Sequence, residues 1–135
     1  MHALSHIDSV LIIEDEYFIA SELAETFSRH GVPTVEIAAG IAQCLALLEQ
    51  KAIDFATVDV NLRDGWCEEL VEELAARSIP FVYVSGYAPE DRPGLRRAAW
   101  IRKPVDEQEL LAAILAARPA KATSAGQSED SSPAL

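Results

Sequence analysis

Apolar residues follow two alternating rhythms along this chain. Short runs rich in β-branched and aromatic residues, at Ser9–Ile13 (SVLII), Thr34–Ala38, residues 55–59 and Phe81–Ser85, read as strands. Between them, apolar residues recur every three or four positions, the spacing of one helix face. Residues 17–30 carry Ile19, Leu23 and Phe27, with Gly31 as a stop. Ile41–Gln50 carries Ile41, Leu45 and Leu48, and residues 68–77 carry Leu70, Val71 and Leu74. Pro80 opens the fourth strand, where a missing N–H is tolerated. Residues 88–99 are the weakest helix, because Pro89, Pro93 and Gly94 oppose it. Trp100–Arg102 is a brief fifth strand. Asp106 then caps a last helix, with Glu109 placed for a capping box and Leu110, Leu111, Ile114 and Leu115 reaching about residue 117.

Five strands alternating with five helices predict an α/β fold: a parallel sheet covered on both faces. Continuous apolar strands such as FVYV agree, since both strand faces are then buried. Right-handed crossovers reduce the options to an open doubly wound five-stranded sheet of order 2-1-3-4-5, its fourth helix short or mobile. The reading divides the chain into an N-terminal extension (1–7), one domain (8–117) and a tail (118–135) with the composition of disorder.

Composition narrows the function classes. The chain has 135 residues, enough for one core, and half are hydrophobic. Lys and Arg number 11 against 22 acids, a formal charge of −11, which opposes binding to nucleic acid or an anionic membrane. No apolar run approaches the ~20 residues of a membrane span, and the N-terminus lacks a signal pattern, so a cytoplasmic location is expected. Cys44 and Cys67 lack metal-ligand spacing and read as reduced structural thiols. His2, His6 and His30 are scattered and carry no assigned chemistry.

The chemistry lies at the strand ends, where ligands bind in this architecture. Strand one ends in Glu14, Asp15 and Glu16. Strand three ends in Asp59, with Asn61 two residues on. Strand four ends in Ser85, Gly86 and Tyr87, and strand five in Lys103 and Pro104. A carboxylate at a buried strand's exit is costly without a counter-charge. Several together call for a hard, oxygen-seeking dication, most naturally Mg²⁺. A metal, a carboxylate nucleophile, an ammonium and a hydroxyl are the equipment for receiving a phosphoryl group.

The set LIIEDE, TVDVNL, YVSG and IRKP, in that order, resembles the receiver domain of two-component response regulators, over residues 8 to about 117. The resemblance implies a flavodoxin-like (CheY-like) fold and a signalling switch that is not an enzyme in the ordinary sense. It implies Asp59 as phosphoacceptor, Glu14 and Asp15 as Mg²⁺ ligands with Asp59, and a backbone carbonyl from Asn61. Lys103 pairs with the phosphoryl group, Ser85 donates to it, and a cis peptide joins Lys103 to Pro104. Trp100 takes the place of the switch aromatic. Apart from the resemblance, the size of Tyr87 and its position two past Ser85 give the expectation that it shields an acyl phosphate from water. The implied donor is a phosphohistidine on a sensor histidine kinase or histidine phosphotransfer protein. No output domain follows residue 117, so a stand-alone receiver acting on a downstream protein is expected.

Three features depart from the common pattern: NLRDG is short and lacks the usual proline, Trp100 replaces Tyr or Phe, and only 17 residues separate Ser85 from Lys103. PFVYVSGY is similar to an alphaproteobacterial (FAT GUY-like) receiver subgroup, often partnered by atypical sensor kinases. Two alternatives stand beside this reading. A pseudo-receiver would keep the fold as a constitutive binding module. An aspartate-nucleophile phosphatase of the haloacid-dehalogenase type would need an Asp-x-Asp pair and a cap, which this chain lacks.

Overall fold

The computed structural model describes residues 2–117. Five parallel strands form one sheet: β1 (Ser9–Ile13), β2 (Thr34–Ala38), β3 (Phe55–Val58), β6 (Phe81–Ser85) and β7 (Trp100–Arg102), in the order β2-β1-β3-β6-β7. This is the expected 2-1-3-4-5 arrangement. The numbers run to seven because a two-stranded antiparallel hairpin, β4 (Asn61–Leu62) and β5 (Gly65–Trp66), intervenes. The register pairs Ile13 with Val58 and Ser85 with Arg102, so the carboxyl ends of β1, β3, β6 and β7 lie along one edge.

Among the described residues, four α-helices flank the sheet: α1 (Tyr17–Arg29), α2 (Ile41–Gln50), α3 (Glu68–Ala76) and α4 (Glu107–Ala116). They bury two apolar clusters on opposite faces, as a doubly wound sheet requires. One joins Leu11, Ile13 and Val58 to Leu48 of α2 and Leu70 and Leu74 of α3. The other joins Val10, Ile12 and Val84 to Phe27 of α1 and Leu110 and Ile114 of α4. Leu4 and Ile7 enter the second cluster from ahead of β1, and the Leu4 N–H donates to the His30 carbonyl at 2.9 Å.

The structure corrects the sequence reading in three places. Residues 88–99 form no α-helix; a single 3₁₀ turn, Pro89–Asp91, is all the two prolines and Gly94 allow. The segment is instead held by the buried Tyr83, whose hydroxyl donates to the Arg96 carbonyl at 2.6 Å. Asp106 is the N-cap of α4 by position, but its side chain makes no capping hydrogen bond. Leu115 is exposed, leaving Leu110 and Ile114 as the buried residues of that helix. The tail assigned to residues 118–135 lies outside the described residues.

Candidate functional site

β1 delivers Glu14 and Asp15, β3 delivers Asp59 and β7 delivers Lys103 to one pocket. The pocket forms because parallel neighbours end together: the Asp59 N–H donates to the Ile13 carbonyl at 2.9 Å, and the Lys103 N–H to the Ser85 carbonyl at 2.9 Å. The Lys103 ammonium lies 3.0 Å from Asp59 Oδ2, 3.0 Å from Glu14 Oε1 and 3.1 Å from Glu14 Oε2. Glu16 stands at its edge, 3.7 Å from the same ammonium, and its N–H donates to Glu14 Oε2. The Lys103–Pro104 peptide is cis.

Glu14 and Asp59 are both buried, at 2 % and 6 % exposure, with one ammonium between them. One positive charge cannot neutralise two buried carboxylates. Burial, and then the Asp59 charge, push the Glu14 carboxyl up to about 7, against the lowering pull of Lys103. Burial opposes the Lys103 charge, yet the hydrogen bonds to Glu14 and Asp59 outweigh it and raise its pKa above the ordinary lysine value.

The pocket therefore has room for more positive charge. Glu14, Asp15 and Asp59 each place a carboxylate oxygen within 4.8 Å of the others. Glu14 Oε1 is buried without a hydrogen-bond partner, although the ammonium is close. A buried carboxylate oxygen with only a shared ammonium for counter-charge, beside two further carboxylates, fits a hard dication that keeps several waters, as Mg²⁺ does. Asn61, two residues after Asp59, opens β4 and is exposed.

The remaining expected residues sit on the β6 and β7 ends. Ser85 is fully buried, and its Oγ accepts the Tyr87 N–H at 3.0 Å, which leaves the hydroxyl proton available to another acceptor. Trp100 stacks on Tyr83 at 4.8 Å between ring centroids, and its Nε1 donates to the Tyr87 carbonyl at 2.8 Å. Tyr87 is half-exposed, and its ring meets Trp66 edge-on at 5.7 Å rather than a member of the carboxylate–ammonium set.

Two participants escaped the sequence reading. Arg92 lies 3.9 Å over the Trp66 ring and pairs with Glu68, tying the segment after β6 to the hairpin after Asp59. Asp64, at the hairpin turn, reaches α2. Only the Asp-Gly pair of NLRDG hinted at a turn there, and nothing local gave its partner.

This constellation on this sheet defines a class. The family model for the response regulator receiver domain matches residues 10–115, and the chain belongs to that family. Domains of this family are signalling switches that receive phosphoryl groups from histidine kinases.

Among individual proteins, the chain is 28 % identical over 114 residues to the photosynthetic apparatus regulatory protein RegA of Rhodobacter capsulatus, covering 80 % of this chain and 61 % of RegA. It is 26 % identical over 113 residues to the acid tolerance regulatory protein ActR of Rhizobium meliloti, covering 79 % and 58 %. The chain thus spans about three-fifths of these relatives. The solution structure of SdrG from Sphingomonas melonis Fr1 superposes with a TM-score of 0.71 at 33 % identity, over 85 % of this chain and 97 % of SdrG. The response regulator PhyR from Brucella abortus gives 0.68 at 27 %, over 78 % and 45 %. No helix among the described residues is long and apolar enough to cross a membrane.

Proposed function

We propose that this protein accepts a phosphoryl group onto Asp59 from a phosphohistidine, on a sensor histidine kinase or histidine phosphotransfer protein, and signals through altered protein contacts. One observation carries the reading: a single ammonium shared by two buried carboxylates beside a third, at 3.0 Å from both Glu14 and Asp59. Such a site is short of positive charge and suited to a dication.

Asp59 supplies the nucleophile. One of its carboxylate oxygens attacks phosphorus, the P–N bond to the donor imidazole breaks, and an acyl phosphate forms. Lys103 exchanges its bond to Asp59 Oδ2 for one to a phosphoryl oxygen. Ser85 turns its hydroxyl proton toward another phosphoryl oxygen. Glu14, Asp15, Asp59 and the Asn61 main-chain carbonyl would hold Mg²⁺, which supplies charge neutralisation on the phosphoryl oxygens. Because Ser85 Oγ also accepts the Tyr87 N–H, any movement of Ser85 is felt at Tyr87 and, through its carbonyl, at the Trp100 indole. That chain of bonds supports a switch role for Trp100 and biases the segment between β6 and β7.

The similarity of PFVYVSGY, residues 80–87, to the alphaproteobacterial subgroup supports a place beside the receivers partnered by atypical kinases, with Ala88 standing where the subgroup pattern has its tyrosine. The test is phosphoryl incorporation from a labelled phosphohistidine donor with Mg²⁺. The wild type takes up label that Asp59→Asn does not, and equal labelling of the two proteins refutes the assignment. A wild type that neither labels nor binds Mg²⁺ is a constitutive binding module instead.

A further inference from the structure

The loop after the phosphoacceptor departs most from the receiver pattern in sequence, and in the structure it has an anchor of its own. Helix α2 begins at Ile41, and the residue at its N-cap, Gly40, has no side chain with which to cap it. The first N–H groups of a helix need an acceptor. Here the acceptor comes from 22 and 23 residues away: Asp64 Oδ1 accepts the Ile41 N–H at 2.7 Å, and Oδ2 accepts the Ala42 N–H at 3.2 Å. Both carboxylate oxygens are used, so the aspartate is fixed in position and in rotation.

Asp64 sits at the two-residue turn of the β4–β5 hairpin, whose register pairs Asn61 with Trp66 and Leu62 with Gly65. The hairpin is short and is closed at its base by the Cys67 N–H donating to the Val60 carbonyl at 3.0 Å. Its other end is free of the sheet. Fixing the turn therefore fixes the ribbon, and the first residue of the ribbon is Asn61. Gly40 makes the contact possible. Its φ of −153° and ψ of 177° suit any residue, but a Cβ there would stand 2.7 Å from Asp64 Oδ1. Gly65, at φ +144°, packs closely on the Ile41 side chain.

Resting on the proposed phosphoacceptor reading, we infer that Asp64 is a positioning residue. By clasping the start of α2 it holds the hairpin, and with it the Asn61 main-chain carbonyl, where the dication needs its oxygen.

The test is Mg²⁺ titration of the whole chain by calorimetry, with phosphorylation rates from acetyl phosphate at saturating Mg²⁺. Asp64→Ala weakens Mg²⁺ binding by about three- to tenfold, the scale of a lost cap converted to affinity. Its rate at saturating Mg²⁺ stays within about twofold of the wild type, because the nucleophile and Lys103 are untouched. Asp64→Asn, which keeps one acceptor oxygen, falls between. Gly40→Ala displaces the carboxylate from the other side and reproduces the defect, and the double variant is no worse than either single one. Wild-type Mg²⁺ affinity in Asp64→Ala, even with a lowered melting temperature, overturns the inference, as do penalties that add in the double variant. Asp64→Asn and Gly40→Ala carry the test if Asp64→Ala folds poorly. A wild type with no Mg²⁺ affinity fails the functional reading itself, a different result from a wild type that binds and an Asp64→Ala that binds equally well.

Discussion

Replacing Glu14 with glutamine should stabilise the protein in the absence of divalent ions. Glu14 is 2 % exposed, and burial followed by the Asp59 charge moves its carboxyl from 4.5 to about 7. At about 1.4 kcal/mol per pKa unit, holding it ionised costs the folded state about 3 kcal/mol. The folded form binds this proton more tightly than the unfolded chain does. The associated stability is therefore complete below pH 4.5 and drains away as pH rises through 7. A glutamine amide keeps the shape of the protonated acid without its charge, while Lys103 keeps Asp59 as partner. Allowing for an amide that suits the ammonium less well, a gain of about 2 kcal/mol remains, or about 8 °C in melting temperature for a domain of this size.

The assay is thermal unfolding followed by circular dichroism in EDTA, at pH 8 and at pH 4.5. Glu14→Gln should melt higher than wild type at pH 8, and the gap should shrink toward zero at the lower pH. Saturating Mg²⁺ at pH 8 should raise the wild type more than the variant, because bound ligand stabilises in proportion to its affinity. A variant that melts no higher than wild type at pH 8, or a gap that persists unchanged at pH 4.5, refutes the view that the acid pocket is short of counter-charge.

Further expectations follow from the rest of the molecule. Burial pushes the Cys44 and Cys67 thiols up to about 12, so a disulfide reagent at pH 8 should label neither in the native protein and both in guanidinium; rapid native labelling would contradict their burial. Tyr83→Phe leaves the Arg96 carbonyl without its 2.6 Å donor and should cost about 1 kcal/mol, with faster amide exchange confined to residues 92–98; exchange unchanged there would mean that other contacts hold the segment.

The strands and the pocket were legible because their causes are local. An apolar run five residues long, a carboxylate at its end and a helical stripe after it are each visible in a short window, and the topology rules do the rest. Legibility stopped where the cause was distant. The β4–β5 hairpin has two residues per strand, too few for an alternating pattern to register, and its stability comes from Asp64 on α2 and from Arg92 on Trp66. The expected capping box at Asp106 failed in the opposite way: its residue pattern was present, yet the Asp106 side chain makes no cap bond, and the neighbouring acid, Glu107, instead pairs with Arg29 and His30 at the α1 end. Leu4 and Ile7 lay too far ahead of any periodic segment to be assigned, and tertiary packing placed them in the core.

These missed contacts share a direction. Asp64 joins the segment after Asp59 to α2, Arg92 and Tyr87 join it through Trp66 to the segment after β6, and Trp100 joins that segment to β7. The loop that follows Asp59 is thus bound on both flanks by side chains from elsewhere, while residues 88–99 form only a single 3₁₀ turn in place of a helix. On the proposed function, a charge added at Asp59 meets on the α2 side a loop held by the two Asp64 hydrogen bonds. On the other side it meets a segment held by the Arg92–Glu68 and Arg96–Glu72 ion pairs, the Tyr83–Arg96 bond and the contacts to Trp66. Bonds on that second side lead from Ser85 onward, through the Tyr87 N–H and carbonyl to the Trp100 indole, so displacement of Ser85 is passed toward Tyr87 and Trp100. On the proposed function, the flank after β6 is where phosphorylation is read, because it is bonded to the serine that meets the phosphoryl group.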